Sequence, residues 1–306
     1  MRGAYLEKNT NRKGVLNMAI KMYTEQYAGL LADVFKKKQH FLNTFGGKLQ
    51  VKDGITNSDE FMKLKISDTD VVIQKYDMGE NVAFGTGTGS TNRFGNRREI
   101  KSVDATVKYE APLAIHEGVD NFTVNDNADQ VIAERSGLHA EAWTEELNKL
   151  LSKAISDNAG ETLTGALKED DVIKAFNDAH KKFVNNKVTS DITWTAYVNA
   201  DVYSMIVDSK LATTAKHSGA DVDNNKILKF KGFNIVELAD EYFQKDEQIY
   251  FVADNIGVVG VGIEVYRVLD SEDFAGVAIQ SAAKYGKFIP EKNKKAIIKA
   301  KLTPAA

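Results

Sequence analysis

Apolar positions first recur at helical spacing between Met22 and Leu42, where Tyr23, Tyr27, Leu30, Leu31, Val34, Phe35, Phe41 and Leu42 form one stripe. Lys36, Lys37 and Lys38 cross its polar side, and Asn43-Thr44-Phe45-Gly46-Gly47 ends it. The pattern then changes. Phe61–Ile66 and Val71–Gln74 are short runs of strand character, and Ile100–Tyr109 alternates in part as a strand with one buried face. Between them lies a Gly-rich polar segment, 84–98, that carries Arg93, Arg97 and Arg98. Two extended arms around such a tip predict a long β-hairpin projecting from the body. A hairpin of that kind has little core of its own and has to pack against something else.

The strongest periodicity runs from Asp126 to Asn158. Val131, Leu138, Ala142, Leu147, Leu151, Ala154 and Ile155 recur every three or four residues, with Trp143 and Leu150 alongside. Asp126 or Asn127 can cap this helix, and Gly160 follows it as a stop. About 30 residues at 1.5 Å rise make a rod of roughly 45 Å, well beyond the usual three turns. Residues 170–303 alternate between helix and strand. Helices are predicted over Asp170–Asn185 and Val202–Leu211. Strands are predicted over Ile192–Val198, over Lys226–Val236 as a pair around Gly232, and over Gln248–Asp254, Val258–Leu269, Val277–Phe288 and Ala296–Leu302. This is an α+β chain with one irregular arm near its front.

Composition narrows the picture. The 306 residues are 43% hydrophobic and 27% charged, enough for one or two domains with a substantial core. Net charge is −3, which does not announce a nucleic-acid binder, but its distribution is uneven. Residues 1–50 carry nine Lys/Arg against three acids, and from Ser281 onward seven lysines face the single acid Glu291. With no cysteine, disulfides and thiolate metal sites are excluded, and a reducing compartment suits the chain. No apolar run approaches the ~20 residues of a membrane helix, and the first residues lack a signal-peptide core. The stretch Lys13-Gly14-Val15 before Met18 is compatible with an encoded ribosome-binding sequence, which gives the expectation that Met18 is the native start.

Catalytic chemistry finds no foothold. The glycines at 85–95 are followed by no Gly-Lys-Ser/Thr and open no helix, so they suit a hairpin tip better than a phosphate loop. Gly257, Gly260 and Gly262 have the wrong order for a dinucleotide fingerprint and suit a packed or bulged strand. His40, His116, His139, His180 and His217 show no metal-ligand spacing. The acid pairs Asp157/Glu161 and Asp170/Asp171 read as charges at helix termini. No catalytic residue, metal or cofactor is expected.

The order of parts carries more. Asp273–Glu291 followed by Ala296–Leu302 looks like the C-terminal strands of the peripheral domain in Hong Kong 97-type phage capsid subunits. Tyr197-Val198-Asn199-Ala200-Asp201-Val202-Tyr203 is similar to the strand, Asn and short helix of that family's axial domain. A basic arm, a long hairpin, a long helix and an α/β half closed by returning strands resemble the same subunit over nearly the whole chain.

The resemblance implies an α+β Hong Kong 97-like capsid fold. Its parts would be an N-terminal arm with an amphipathic helix (1–61) and an extended β-hairpin loop lying across a neighbouring subunit (62–112). A peripheral domain with a spine helix (113–167 and 271–306) and an axial domain (168–270) would complete it. It further implies a major capsid protein that assembles with itself as hexamers and pentamers into an icosahedral shell around double-stranded DNA. Portal protein is an expected partner. Too few residues precede the loop for a built-in scaffolding segment, so a separate scaffold is expected unless that segment has been removed. No membrane is involved. Arg93, Arg97 and Arg98 suit bidentate pairing with carboxylates of a neighbouring subunit, or else form a solvated tip. Lys36, Lys37 and Lys38 belong to an arm that would meet either packaged DNA, without reading its sequence, or a neighbour. The rival readings are an encapsulin-like compartment of the same fold and, from another class, a small-molecule-binding α+β protein.

Overall fold

A computed structural model describes residues 39–53, 60–67, 71–79, 82, 92–95, 97, 99–100, 102–124, 128–189, 191–209, 218–221 and 226–304. A buried turn at 39–47 leads into β1 (Leu49–Asp53). Then come β2 (Glu60–Ser67), β3 (Ser102–Lys108), β4 (Leu113–Asp120), a single turn α1 (Asn121–Val124) and the long α2 (Ala128–Asp157). β5 (Glu161–Leu167), α3 (Glu169–Asn185), β6 (Trp194–Asn199) and α4 (Ala200–Asp208) follow. The chain continues through β7 (Ser218–Asp221), β8 (Lys226–Phe230), β9 (Phe233–Leu238) and β10 (Ile249–Ala253). It closes with β11 (Val258–Asp270), β12 (Gly276–Phe288) and β13 (Ile297–Pro304). Ser58–Lys108 is one compact unit, and the residues on either side of it form the other.

The larger unit holds two sheets. Four strands run in the order β1-β11-β12-β4, with β11 and β12 paired along nearly their full length and a bulge between Ile263 and Val265. Seven strands run in the order β5-β13-β10-β6-β9-β8-β7, mixing parallel pairs (β5 with β13, β6 with β9) and antiparallel ones. β6 and β10 are buried at every position, as central strands covered on both faces must be. β8 and β9 turn at Lys231-Gly232, both with positive φ (51° and 92°), the geometry a tight hairpin demands.

Helix α3 follows its sequence pattern. Val172, Ala175, Phe176, Ala179 and Phe183 are buried, acids occupy the first turn, and Lys182 sits in the last. Phe176 is the hub of an aromatic cluster, with Phe251 at 4.9 Å, Phe230 at 5.1 Å and Phe233 at 6.0 Å. α4 starts where the Asn199 side chain accepts the Val202 N–H at 3.1 Å, earlier than the expected Val202.

Helix α2 is present at the expected length and buries Trp143, Leu147, Leu151, Ala154 and Ile155 as expected, but Leu138 and Ala142 depart from the expected face. Leu138 is 41% exposed and Ala142 is exposed, whereas Ser136, His139, Thr144, Asn148 and Ser152 are buried with Trp143, Leu147 and Leu151. Ser136 and Thr144 hydroxyls donate back to the carbonyls of Ile132 and Ala140, which lets polar side chains lie inside. The expected caps Asp126 and Asn127 fall outside the described residues.

Two further expectations need correction. Gln39–Leu42, the described end of the predicted first helix, lies in the 39–47 turn, while the rest of that stripe lies outside the described residues. Phe41 and Phe45 bury completely, Phe41 lies 4.6 Å from the Tyr197 ring, and the Thr44 and Tyr197 hydroxyls are 2.8 Å apart. Burial of two aromatic rings overrides the helical spacing here. Val71–Gln74 is described without strand pairing, and it is β2 and β3 that pair. Among the described residues no helix is long and apolar enough to cross a membrane.

Candidate assembly surfaces

The unit Ser58–Lys108 is built on the antiparallel β2–β3 ribbon. Its tip is tied internally by polar bonds. The Asp77 N–H donates to the Arg93 carbonyl at 2.9 Å, and Arg93 Nε donates to the Val82 carbonyl at 2.9 Å. A second Arg93 nitrogen reaches the Gly79 carbonyl at 3.3 Å. Asn92 bonds the Gly95 carbonyl and the Phe94 N–H, closing the turn. Gly95 has φ +78°, and a Cβ there would meet Gln74 Oε1 at 2.6 Å, so glycine is required.

Beside exposed polar residues such as Lys75 and Asp77, the described part of this unit presents apolar side chains outward. Val71 is 95% exposed, Ile73 96%, Met78 83%, Phe94 75% and Ile100 75%. The Phe94 ring packs edge-on to Tyr76 at 5.1 Å, which holds it in place without covering it. Scattered exposed apolar residues are ordinary, but this many in one short unit mark an interaction surface. Sequence reading missed them because an apolar run such as Val71-Val72-Ile73 ordinarily signals a buried strand.

The predicted site residues do not behave alike. Arg93 uses at least two donors inside its own unit, so it organises the tip. Arg97 is exposed. Arg98, Lys36, Lys37 and Lys38 lie outside the described residues.

In the larger unit, α2 is bolted to the four-stranded sheet by polar bonds along its length. Tyr266 OH donates to Ser136 Oγ at 2.6 Å, Trp143 Nε1 to Ser281 Oγ at 3.1 Å, and Tyr285 OH to the Trp143 carbonyl at 3.0 Å. Arg135 pairs with Glu117 through both ends of the guanidinium, and His139 Nε2 lies 3.1 Å from the same carboxylate. The Arg135 hydrogen bonds hold the Glu117 carboxyl down to about 2, against the opposing effect of burial and with help from His139. A cleft of about 420 Å³ opens beside this pair, lined by Val119, Asp120, Thr123 and Val131. Its main charges, Glu117 and Arg135, already satisfy each other, which suits a rigid joint better than a ligand site. Among the described residues no three His, Asp or Glu side chains converge as a metal site.

No protein-family model matches the sequence, and neither does any curated protein. Solved structures do match. A chain of the mature capsid of bacteriophage PhiM1 superposes with a TM-score of 0.63 at 13% identity, covering 87% of each chain. The capsid of cyanophage P-SCSP1u gives 0.59 at 12% identity, covering 84% of this chain and 87% of that one. A chain of Mycobacterium phage Che8 gives 0.57 at 18% identity, covering 79% and 85%. The chain has the Hong Kong 97-type capsid fold.

Within this capsid fold the two kinds of surface divide the work. The joints between α2 and the four-stranded sheet are closed by hydrogen bonds at Ser136, Trp143, Ser281 and Tyr285. The Ser58–Lys108 unit leaves Val71, Ile73, Met78, Phe94 and Ile100 uncovered among its described residues.

Proposed function

We propose that this chain is the major capsid protein of a tailed bacteriophage, a structural subunit rather than an enzyme. It assembles with itself as hexamers and pentamers into the icosahedral head that encloses double-stranded DNA. The observation that carries the reading is the pairing of the capsid fold with the outward apolar tip at Val71, Ile73, Met78 and Phe94. An isolated subunit gains nothing from exposing those side chains, whereas a lattice of copies buries them once per contact. Many modest contacts then sum to a closed shell through multivalency.

On this reading the Ser58–Lys108 unit is the extended loop that lies on a neighbouring subunit, and α2 is the spine helix. The sheets suggest a division of the remaining chain by strand pairing. β11 would join β12 and β4 in the peripheral part, and β13 and β5 would join β6 and β10 in the axial part, which moves β11 and β13 across the boundary expected at 270/271 and β5 across the one expected at 167/168. Arg97 is the exposed arginine available to a neighbour's carboxylates, and the lysine-rich N-terminal arm meets packaged DNA or a neighbour through non-specific charge. Scaffolding and portal proteins are the remaining partners, and the virion is the destination.

Electron microscopy of the purified full-length protein after size-exclusion chromatography tests this, alone and with its scaffolding partner. Closed shells, tubes or rings of regular subunits are expected, with nucleic acid inside particles taken from infected cells. Enzyme cargo inside would instead indicate a compartment. A monomer that stays inert with scaffold present would overturn the assembly reading.

A further inference from the structure

The last turn of α2 contains no basic residue, although it ends a helix of 30 residues. Its terminal carbonyls therefore carry the negative end of the helix dipole with no cation from the helix itself. The cation comes from another element. Lys299 of β13 donates Nζ to the Ser156 carbonyl at 3.2 Å and to Ser156 Oγ at 3.1 Å. Lys299 is in turn held by Glu247, in the loop before β10, at 2.8 Å. The Glu247 side chain is 2% exposed.

The groups facing Glu247 come from three elements. Lys299 and, at 3.8 Å, Lys301 approach from β13, Tyr250 OH donates at 2.7 Å from β10, and Ser156 approaches from α2. The loop that carries Glu247 is itself anchored to the seven-stranded sheet, since Gln248 N–H donates to the Ala300 carbonyl at 3.1 Å and the Asn199 N–H to the Gln248 carbonyl at 3.1 Å. One buried carboxylate thus fixes the lysine that caps a long helix from outside. Ser152, one turn earlier on α2, also bonds the Tyr242 carbonyl, an uncharged attachment of the same stretch of helix.

We infer that Glu247, Lys299 and Ser156 form an acid-labile pin that fastens the C-terminal end of α2 to the seven-stranded sheet. Glu247 is a positioning residue in it. With the carboxylate charged, Lys299 is held over the helix terminus. With the carboxyl protonated, Lys299 loses its counter-charge in a site that is only 19% exposed and turns toward solvent, leaving the Ser156 carbonyl with the longer Ala159 N–H bond at 3.3 Å and no cation beside the helix end. Burial pushes the Glu247 carboxyl up, but hydrogen bonds from Lys299, Tyr250 and Ser156, with the Lys299 charge, outweigh it and hold the group below the ordinary glutamate value of 4.5. A carboxyl lowered in the folded state stabilises above its unfolded value, and that contribution is lost as pH falls through the folded value. The pin is therefore closed at neutral pH and opens in acid. It belongs to the subunit itself and stands or falls separately from the assembly reading.

Hydrogen exchange of the full chain, followed by mass spectrometry from about pH 7 to about pH 3 and corrected for intrinsic rates, tests this. Protection of the Ser152–Asp157 amides is expected to fall about tenfold or more in acid while Trp194–Val198 in the sheet stays protected. Glu247→Gln should loosen the same helix end at neutral pH and remove the pH dependence. If that variant fails to fold, Glu247→Gln with Lys299→Met leaves no unpaired buried charge and carries the same expectation. A wild-type helix end that opens only together with the sheet, or a variant that keeps the wild-type pH profile, would overturn the pin.

Discussion

Replacing Val71 and Ile73 together by serine separates folding from assembly. Both side chains are almost fully exposed, 95% and 96%, so the folded subunit loses almost no burial and its stability should move by no more than about 0.5 kcal/mol. In a shell the same side chains are covered. Burying a Val or Ile is worth about 1.5–3 kcal/mol each, so the double variant forfeits roughly 3–6 kcal/mol per contact if coverage is complete. Contact burial is seldom complete, and about 3 kcal/mol is the safer figure, roughly a hundredfold in pairwise affinity at 1.4 kcal/mol per tenfold. Each subunit repeats the contact, so the threshold concentration for shell formation should rise by about that factor or more. Sedimentation velocity across a dilution series measures the threshold, and a urea titration of the unassembled subunit checks that the midpoint is unchanged. An unaltered threshold with an unaltered fold would refute the reasoning, because the tip would then face solvent in the particle as well.

Other substitutions test the packing. Gly137 lies in the middle of α2 with nothing within 4 Å of an added Cβ, so Gly137→Ala should stabilise by about 0.5–1 kcal/mol. Gly276→Ala should do the reverse, because its Cβ would meet the Val119 carbonyl oxygen at 2.0 Å and force β12 away from β4; a loss of about 1–3 kcal/mol is expected. Thermal melts of the two variants should therefore shift in opposite directions. Phe176→Ala empties the hub of the aromatic cluster and should cost about 3–5 kcal/mol by urea unfolding, with Phe176→Leu costing about a third of that.

The elements were legible where one physical signal dominated. α2 and α3 announced themselves by period, and β6, β10, β11 and β12 by apolar runs bounded by turn residues, to within a few residues of their observed ends. The turn at Lys231-Gly232 was legible because only residues tolerant of positive φ serve there. The 39–47 turn was not, since Phe41 and Leu42 fit a helical stripe as well as they fit a buried turn. Nor was the whole buried face of α2, where Leu138 and Ala142 face outward while, beside Leu147 and Leu151, Ser136, His139 and Ser152 lie inside. Their partners, Tyr266, Glu117 and Tyr242, lie far away in sequence and carry no local mark.

The candidate surface shows the same division. Sequence predicted an arm between 62 and 112 with arginines at its tip, because glycine, polar residues and charge at a tip are local properties. It could not tell Arg93, bonded to the Val82 and Gly79 carbonyls, from Arg97, which is exposed, since the difference lies in where the backbone carbonyls of a folded turn point. It read Val71–Gln74 as a strand of that arm and did not tell which of its side chains stay uncovered. Apolar character fixes only that a side chain has to be covered somewhere. Whether the cover is the chain's own core or another copy depends on which surfaces remain once all the strands have paired, and that is settled only when residues as distant as His116 and Gln280, or Glu247 and Lys299, come together. The sequence by itself determined the periodic elements, the lack of cysteine chemistry and the basic ends. Tertiary structure decided which polar groups were consumed internally and which apolar ones were left over, because both follow from contacts between separate segments of the chain or from the closure of a loop.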